Sequence, residues 1–119
     1  MKLDHLVILV RDLNASLPWY EVLLSLLGFA KTRDHVWGNE DGTYIDLKQA
    51  EADTSDYGRY APGLNHLGFT APTMAELHSV RDGMAAAGLE VPELQQLGNI
   101  TATFFKDPDG MRLEVSHYA

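Results

Sequence analysis

With 119 residues, 45% hydrophobic and 22% charged, the chain has the size and composition of one globular domain that buries its core without staples. It has no cysteine, which excludes disulfides, thiolate metal ligands and a Cys nucleophile, so any metal would rest on His, Asp and Glu. A formal charge of −8, with nine Lys and Arg scattered singly, disfavours nucleic acid and anionic membrane surfaces as partners.

Residues 1–10 read as a strand, since Leu6, Val7, Ile8, Leu9 and Val10 form an apolar run on both strand parities, the pattern of a strand covered on both sides. The run is too short for a signal h-region or a membrane span and is flanked by Asp4 and Arg11, which points to a cytoplasmic protein. Asp12, Asn14 and Ser16 supply cap residues for a helix reaching Leu27, with Leu13, Leu17, Tyr20, Leu24 and Leu27 as its apolar stripe and Gly28 as its stop. Pro18 fits if that helix begins near Ser16, because an interior proline loses a hydrogen bond. Short strands follow at 29–33, 36–38 and 43–48, the last two joined by a turn at Asp41-Gly42. Residues 49–63 are small, acidic and broken by Gly58, Pro62 and Gly63, a linker longer than a routine connection.

The order then starts again. Residues 64–70 form a strand, and Thr73-Met74-Ala75-Glu76 is a capping box opening a helix with Leu77, Val80 and Met84 inward and Gly88 at its end. Strands are expected at 91–97, 101–106 and 111–117, with Asp107-Pro108-Asp109-Gly110 as a turn. Three landmarks match between the halves: Leu3-Asp4-His5-Leu6 with Leu64-Asn65-His66-Leu67, Leu27-Gly28-Phe29 with Ala87-Gly88-Leu89, and Asp41-Gly42-Thr43-Tyr44-Ile45-Asp46 with Asp109-Gly110-Met111-Arg112-Leu113-Glu114. The chain is thus an α+β domain over 1–119, with one βαβββ module at about 1–48 and a second at about 64–119. Each module alone covers its sheet poorly, a physical reason to pair two.

The repeat sets one histidine on the first strand of each module, His5 and His66, and one carboxylate on the last, Asp46 and Glu114. A carboxylate between Leu113 and Val115 points either outward or into a cavity. If symmetry-related strands face one another across a cleft, the four groups converge and suit a divalent ion such as Zn, Fe, Mn, Ni or Co, with positions left open for substrate. Taken singly, each histidine is more ordinarily a core residue bonded to a carbonyl, and Glu114 a partner for a surface cation. Matched symmetry strengthens the set as a whole, least for Asp46, which is a methylene shorter than Glu and lies between Tyr44 and Lys48. His35, His78 and His117 read as structural. Side chains of the same parity, Leu3, Val7, Tyr44, Lys48, Gly68, Thr70, Arg112 and Ser116, are the natural pocket lining. Tyr57, Arg59 and Tyr60 in the linker are placed to cap its opening, while Trp37, Phe104 and Phe105 default to core packing.

These residues, together with Asp12-Leu13, Ser16, Trp19-Tyr20 and the run Phe105-Lys106-Asp107-Pro108-Asp109-Gly110-Met111-Arg112-Leu113-Glu114, resemble the vicinal-oxygen-chelate superfamily of glyoxalases, bleomycin-resistance proteins and dioxygenases across both halves. The resemblance implies an open mixed β-barrel or cleft with helices outside, often within a homodimer, and a small-molecule substrate. It implies that His5, His66 and Glu114 match metal-ligand positions and that Asp46 stands where glyoxalase-type members carry a fourth carboxylate, with Asp for Glu a departure. The activity it implies is a metal-dependent glyoxalase-like lyase or isomerase, the alternatives being an extradiol-type dioxygenase and a non-catalytic drug-binding protein.

Overall fold

A computed structural model describes residues 1–119, in the order β1 (His5–Val10), α1 (Leu13–Leu26), β2 (Ala30–Arg33), β3 (Val36–Gly38), β4 (Tyr44–Gln49), β5 (His66–Thr70), α2 (Met74–Ala86), β6 (Gln95–Leu97), β7 (Ile100–Lys106) and β8 (Arg112–Tyr118). The chain divides into two units, Met1–Asp56 and Tyr57–Ala119, so the linker is shared between them. Each unit holds one helix and one four-stranded mixed sheet, ordered β1-β4-β3-β2 in the first and β5-β8-β7-β6 in the second. In both, the first strand runs parallel to the last and the remaining pairs are antiparallel. The repeat read from the sequence is therefore a repeat of topology. No helix is long and apolar enough to cross a membrane.

Within the first unit, Ile8, Val10, Ile45 and Leu47 of the two central strands are buried, as are Trp19, Tyr20, Leu23 and Leu24 of α1. These strand residues share one parity, so the other parity, with His5, Val7, Leu9, Tyr44, Asp46 and Lys48, forms the opposite face. Val7 and Leu9 stay 47% and 62% exposed on that face, so β1 is covered on one side and not on both. The second unit repeats this plan, with Leu113 and Val115 buried on the face of Leu77, Val80 and Met84 from α2.

Helix α1 begins three residues earlier than Ser16. Asp12 is its N-cap and accepts hydrogen bonds from the amides of Asn14 and Ala15 at 3.1 and 3.4 Å. Pro18 consequently lies inside the helix on an exposed position, where a proline cannot donate to the carbonyl one turn back. Burial of Trp19, Tyr20, Leu23 and Leu24 outweighs that loss, since one buried large side chain contributes about 1.5–3 kcal/mol. Strand β6 is shorter than expected. The Pro92 carbonyl is instead taken by Arg81 Nη2 at 3.0 Å and by the Thr103 hydroxyl at 3.2 Å, and proline has no amide to give a ladder. Thr73 caps α2 as its sequence requires: its Oγ1 accepts from the Glu76 amide at 3.1 Å and its hydroxyl donates to the Glu76 carboxylate at 3.0 Å.

The linker is tied down at both ends. The Arg11 guanidinium donates to the carbonyls of Glu51, Thr54 and Ser55, holding residues 51–55 to the first unit. In the second unit, the Tyr57 hydroxyl lies 2.6 Å from the Leu64 carbonyl and 2.8 Å from that of Asn65.

Candidate metal centre

Glu114 occupies the central strand β8, where it is in register with Gly68 of β5 on one side and Phe104 of β7 on the other. A Cβ added at Gly68 would lie 3.8 Å from Glu114 Oε2, so the glycine leaves open space beside the carboxylate. On the same face, His66 Nε2 stands 3.0 Å from Glu114 Oε2. The carboxylate is largely buried, its side chain 16% exposed, while the His66 side chain is 40% exposed. The Phe104 ring meets the imidazole edge-on, with centroids 5.9 Å apart, and limits its swing. The Ser116 hydroxyl donates to Glu114 Oε1, leaving Oε2 as the oxygen turned to His66.

Placement of this pair begins at the turn preceding β8. Asp107 is buried, and its Oδ1 accepts from the amides of Asp109 and Met111, both at 2.9 Å. Gly110 follows with φ +89°, a conformation that L side chains resist. The turn fixes where β8 starts and hence which face Glu114 takes. Asp107-Pro108-Asp109-Gly110 is turn chemistry that sets register, as the sequence implied.

In the first unit the corresponding pair is more open. His5, Tyr44 and Asp46 line one depression of about 390 Å³ together with Asp4, Thr32 and Arg33. His5 is exposed, and its Nδ1 lies 2.7 Å from Asp4 Oδ2. Asp46 is in register with Val7 and Val36, and its Oδ2 lies 3.8 Å from Lys48 Nζ. Among the expected pocket residues, Tyr44 and Lys48 are exposed, Arg112 is half-buried, and Ser116 is buried against Glu114. His35 sits in a turn with φ +67°, His78 is exposed on α2, and His117 Nδ1 lies 3.1 Å from the Ala71 carbonyl, so none of the three joins the candidate donors.

Within neither unit do three His, Asp or Glu side chains gather closely enough to hold an ion by themselves. Each unit supplies a pair, and the second unit's pair fits a metal by distance. Two cis donors about 2.1 Å from an octahedral ion stand roughly 3.0 Å apart, matching the observed His66–Glu114 separation. The same separation also suits a shared proton.

Asp4, Asn65 and Phe104 touch the donor histidines and were not singled out from sequence as doing so. Asp4 and Asn65 carried a signal, because an acidic or amide residue precedes the histidine in both halves. For Phe104 the signal lay in register, which single-strand parity does not give.

The family model of the Glyoxalase/Bleomycin resistance protein/Dioxygenase superfamily matches residues 2–115, and the chain belongs to that superfamily. A crystal structure of a glyoxylase/bleomycin resistance protein/dioxygenase domain from Frankia sp. EAN1pec matches with a TM-score of 0.79 and 25% identity, covering 100% of this chain and 98% of that one. The lactoylglutathione lyase of Agrobacterium tumefaciens has the same fold, with a TM-score of 0.69 and 18% identity over 98% of this chain and 92% of that one. In sequence, the virulence protein STM3117 of Salmonella typhimurium is 29% identical, covering 98% of this chain and 84% of that protein.

Proposed function

We propose that the protein is a metal-dependent, glyoxalase-like lyase or isomerase acting on a small oxygenated metabolite, with His5, His66, Glu114 and Asp46 as ligands of one divalent ion. The observation that carries this reading is the 3.0 Å approach of His66 Nε2 to Glu114 Oε2 in a partly buried site. Zn, Ni, Mn and Fe all accept such a nitrogen and oxygen donor set. A bound ion supplies Lewis-acid polarisation of two adjacent substrate oxygens.

The chain's own residues supply the rest. Glu114, or Asp46 in the other half, accepts the proton from the hydroxyl-bearing carbon beside the substrate carbonyl and returns it to the carbonyl carbon, while the hydroxyl proton passes to the former carbonyl oxygen, so no external oxidant or reductant enters the balance. The Ser116 hydroxyl holds Glu114 Oε1, which keeps the carboxylate oriented while Oε2 engages. Tyr44, Lys48 and Arg112 are the polar lining that orients substrate. The assembly proposed with this activity is a homodimer, supported by Val7 and Leu9 left exposed on the His5 face of β1. The protein is read as cytoplasmic, with no nucleic-acid or membrane partner.

A second reading, an extradiol-type oxygenase, needs only His5, His66 and Glu114, and the ion pair of Asp46 with Lys48 favours it. Two measurements decide. Elemental analysis of protein purified without chelators is expected to find near-stoichiometric metal, and the loaded protein is expected to isomerise a hemithioacetal. Loaded protein inert towards every α-hydroxy-carbonyl compound tried would overturn the lyase reading, and catechol cleavage under oxygen would replace it with the second.

A further inference from the structure

Asp4 and Asn65 lie just outside the first residues of β1 and β5, so the strand pleat does not force their side chains onto the face opposite the histidines. In both units the side chain turns back to the ring that follows it. Asp4 Oδ2 lies 2.7 Å from His5 Nδ1, and Asn65 Oδ1 lies 2.8 Å from His66 Nδ1. The orientation of the Asn65 amide is fixed independently, because its Nδ2 donates to the Arg59 carbonyl at 3.0 Å and leaves only Oδ1 for the imidazole. An amide or carboxylate oxygen accepts and does not donate, so the proton of each contact sits on Nδ1. An otherwise free neutral imidazole side chain prefers its proton on Nε2. In His5 the contact reverses that preference and leaves Nε2 bare. His66 has an acceptor at each ring nitrogen, Asn65 Oδ1 at 2.8 Å and the free oxygen of Glu114 at 3.0 Å, so a neutral ring that keeps its proton on Nδ1 turns a lone pair to Glu114. Two electron-rich atoms at that distance repel unless a positive species sits between them.

We propose that Asp4 and Asn65 are positioning residues that hold His5 and His66 as Nδ1–H tautomers, turning each Nε2 into a donor for a divalent cation. The function of the bared nitrogens rests on the metal reading above, whereas the placement of the ring protons does not. Such outer partners fix a ligating ring and raise its basicity. The two are unequal in kind: Asp4 brings a carboxylate and Asn65 a neutral amide. The linker also acquires a task, because the Arg59 carbonyl orients the Asn65 side chain and the Tyr57 hydroxyl binds the Asn65 carbonyl.

The test is long-range proton–nitrogen NMR of metal-free protein, which reads the protonation of each ring nitrogen directly. The proteins compared are wild type, Asp4→Leu, Asp4→Asn, Asn65→Leu and Asn65→Asp. Wild type is expected to show Nδ1–H at both histidines. The leucine variants are expected to move the adjacent histidine to Nε2–H, and the Asn and Asp exchanges to retain Nδ1–H. Mn2+ titration of the same proteins is expected to show binding weakened about tenfold to a hundredfold in the leucine variants and recovered in the exchanges. Leucine variants that keep Nδ1–H, or that bind Mn2+ as wild type does, would overturn the proposal. The expected tautomers in a wild type that binds no divalent metal would uphold the proton placement and overturn the metal reading instead.

Discussion

The two units share a strand order, a helix position and a parity of polar side chains, yet they present their histidine and carboxylate differently. In the second unit Glu114 stands between Gly68 and Phe104 and meets His66 at 3.0 Å. In the first unit Asp46 stands between Val7 and Val36, one methylene shorter, with Lys48 at 3.8 Å. Position for position, Val7 fills the space that Gly68 leaves open. The same strand order thus carries a close histidine–carboxylate pair in one half and a more open one in the other. Topology sets the face on which a donor lies. The residue beside it on the neighbouring strand differs between the halves, glycine at the close pair and valine at the open one.

Several substitutions would break or sharpen this contrast. Glu114→Gln and His66→Gln remove direct donors and are expected to weaken Mn2+ binding by more than about a hundredfold, beyond the usual loss from an outer partner. Asp46→Asn is expected to cost about tenfold or less, measured by the same titration. Asp107→Ala leaves the Met111 amide without its acceptor and is expected to destabilise the protein by about 2 kcal/mol, seen as a lower urea midpoint. Gly68→Val copies the first unit's packing into the second. It is expected to separate His66 from Glu114 and lower metal affinity about tenfold, roughly 1.4 kcal/mol, with far-ultraviolet circular dichroism unchanged. The helix caps give the smallest effects. Asp12→Ala and Thr73→Ala are each expected to cost about 1 kcal/mol in urea denaturation, the latter slightly more because it also breaks the reciprocal bond with Glu76.

Much of this was legible from residue order. Gly28 and Gly88 after the helices, the capping box at Thr73, the Asp107 turn and the alternation around Glu114 all act locally, within one turn of helix or one strand. The His66–Glu114 pair was legible because repeat and parity together placed both on one face. What the sequence concealed depended on neighbours from other strands or on side chains leaving the pleat. The bare outer face of β1 is one example: its all-apolar run looks the same whether one side or two are covered. The start of α1 is another, since Pro18 argued for a late beginning while burial of Trp19, Tyr20, Leu23 and Leu24 carries the helix back to the Asp12 cap. The hold of Asp4 and Asn65 on the histidines is a third, because adjacent residues in a regular strand would not touch in this way.

We propose that both histidines and Glu114 bind one ion. Pulsed electron paramagnetic resonance of the Mn2+-loaded protein tests it most directly, through the nitrogens bound to the metal. Couplings from two imidazoles are expected, one lost in His5→Gln and the other in His66→Gln. Bound Mn2+ with no imidazole coupling, or with couplings that survive both substitutions, would contradict the account.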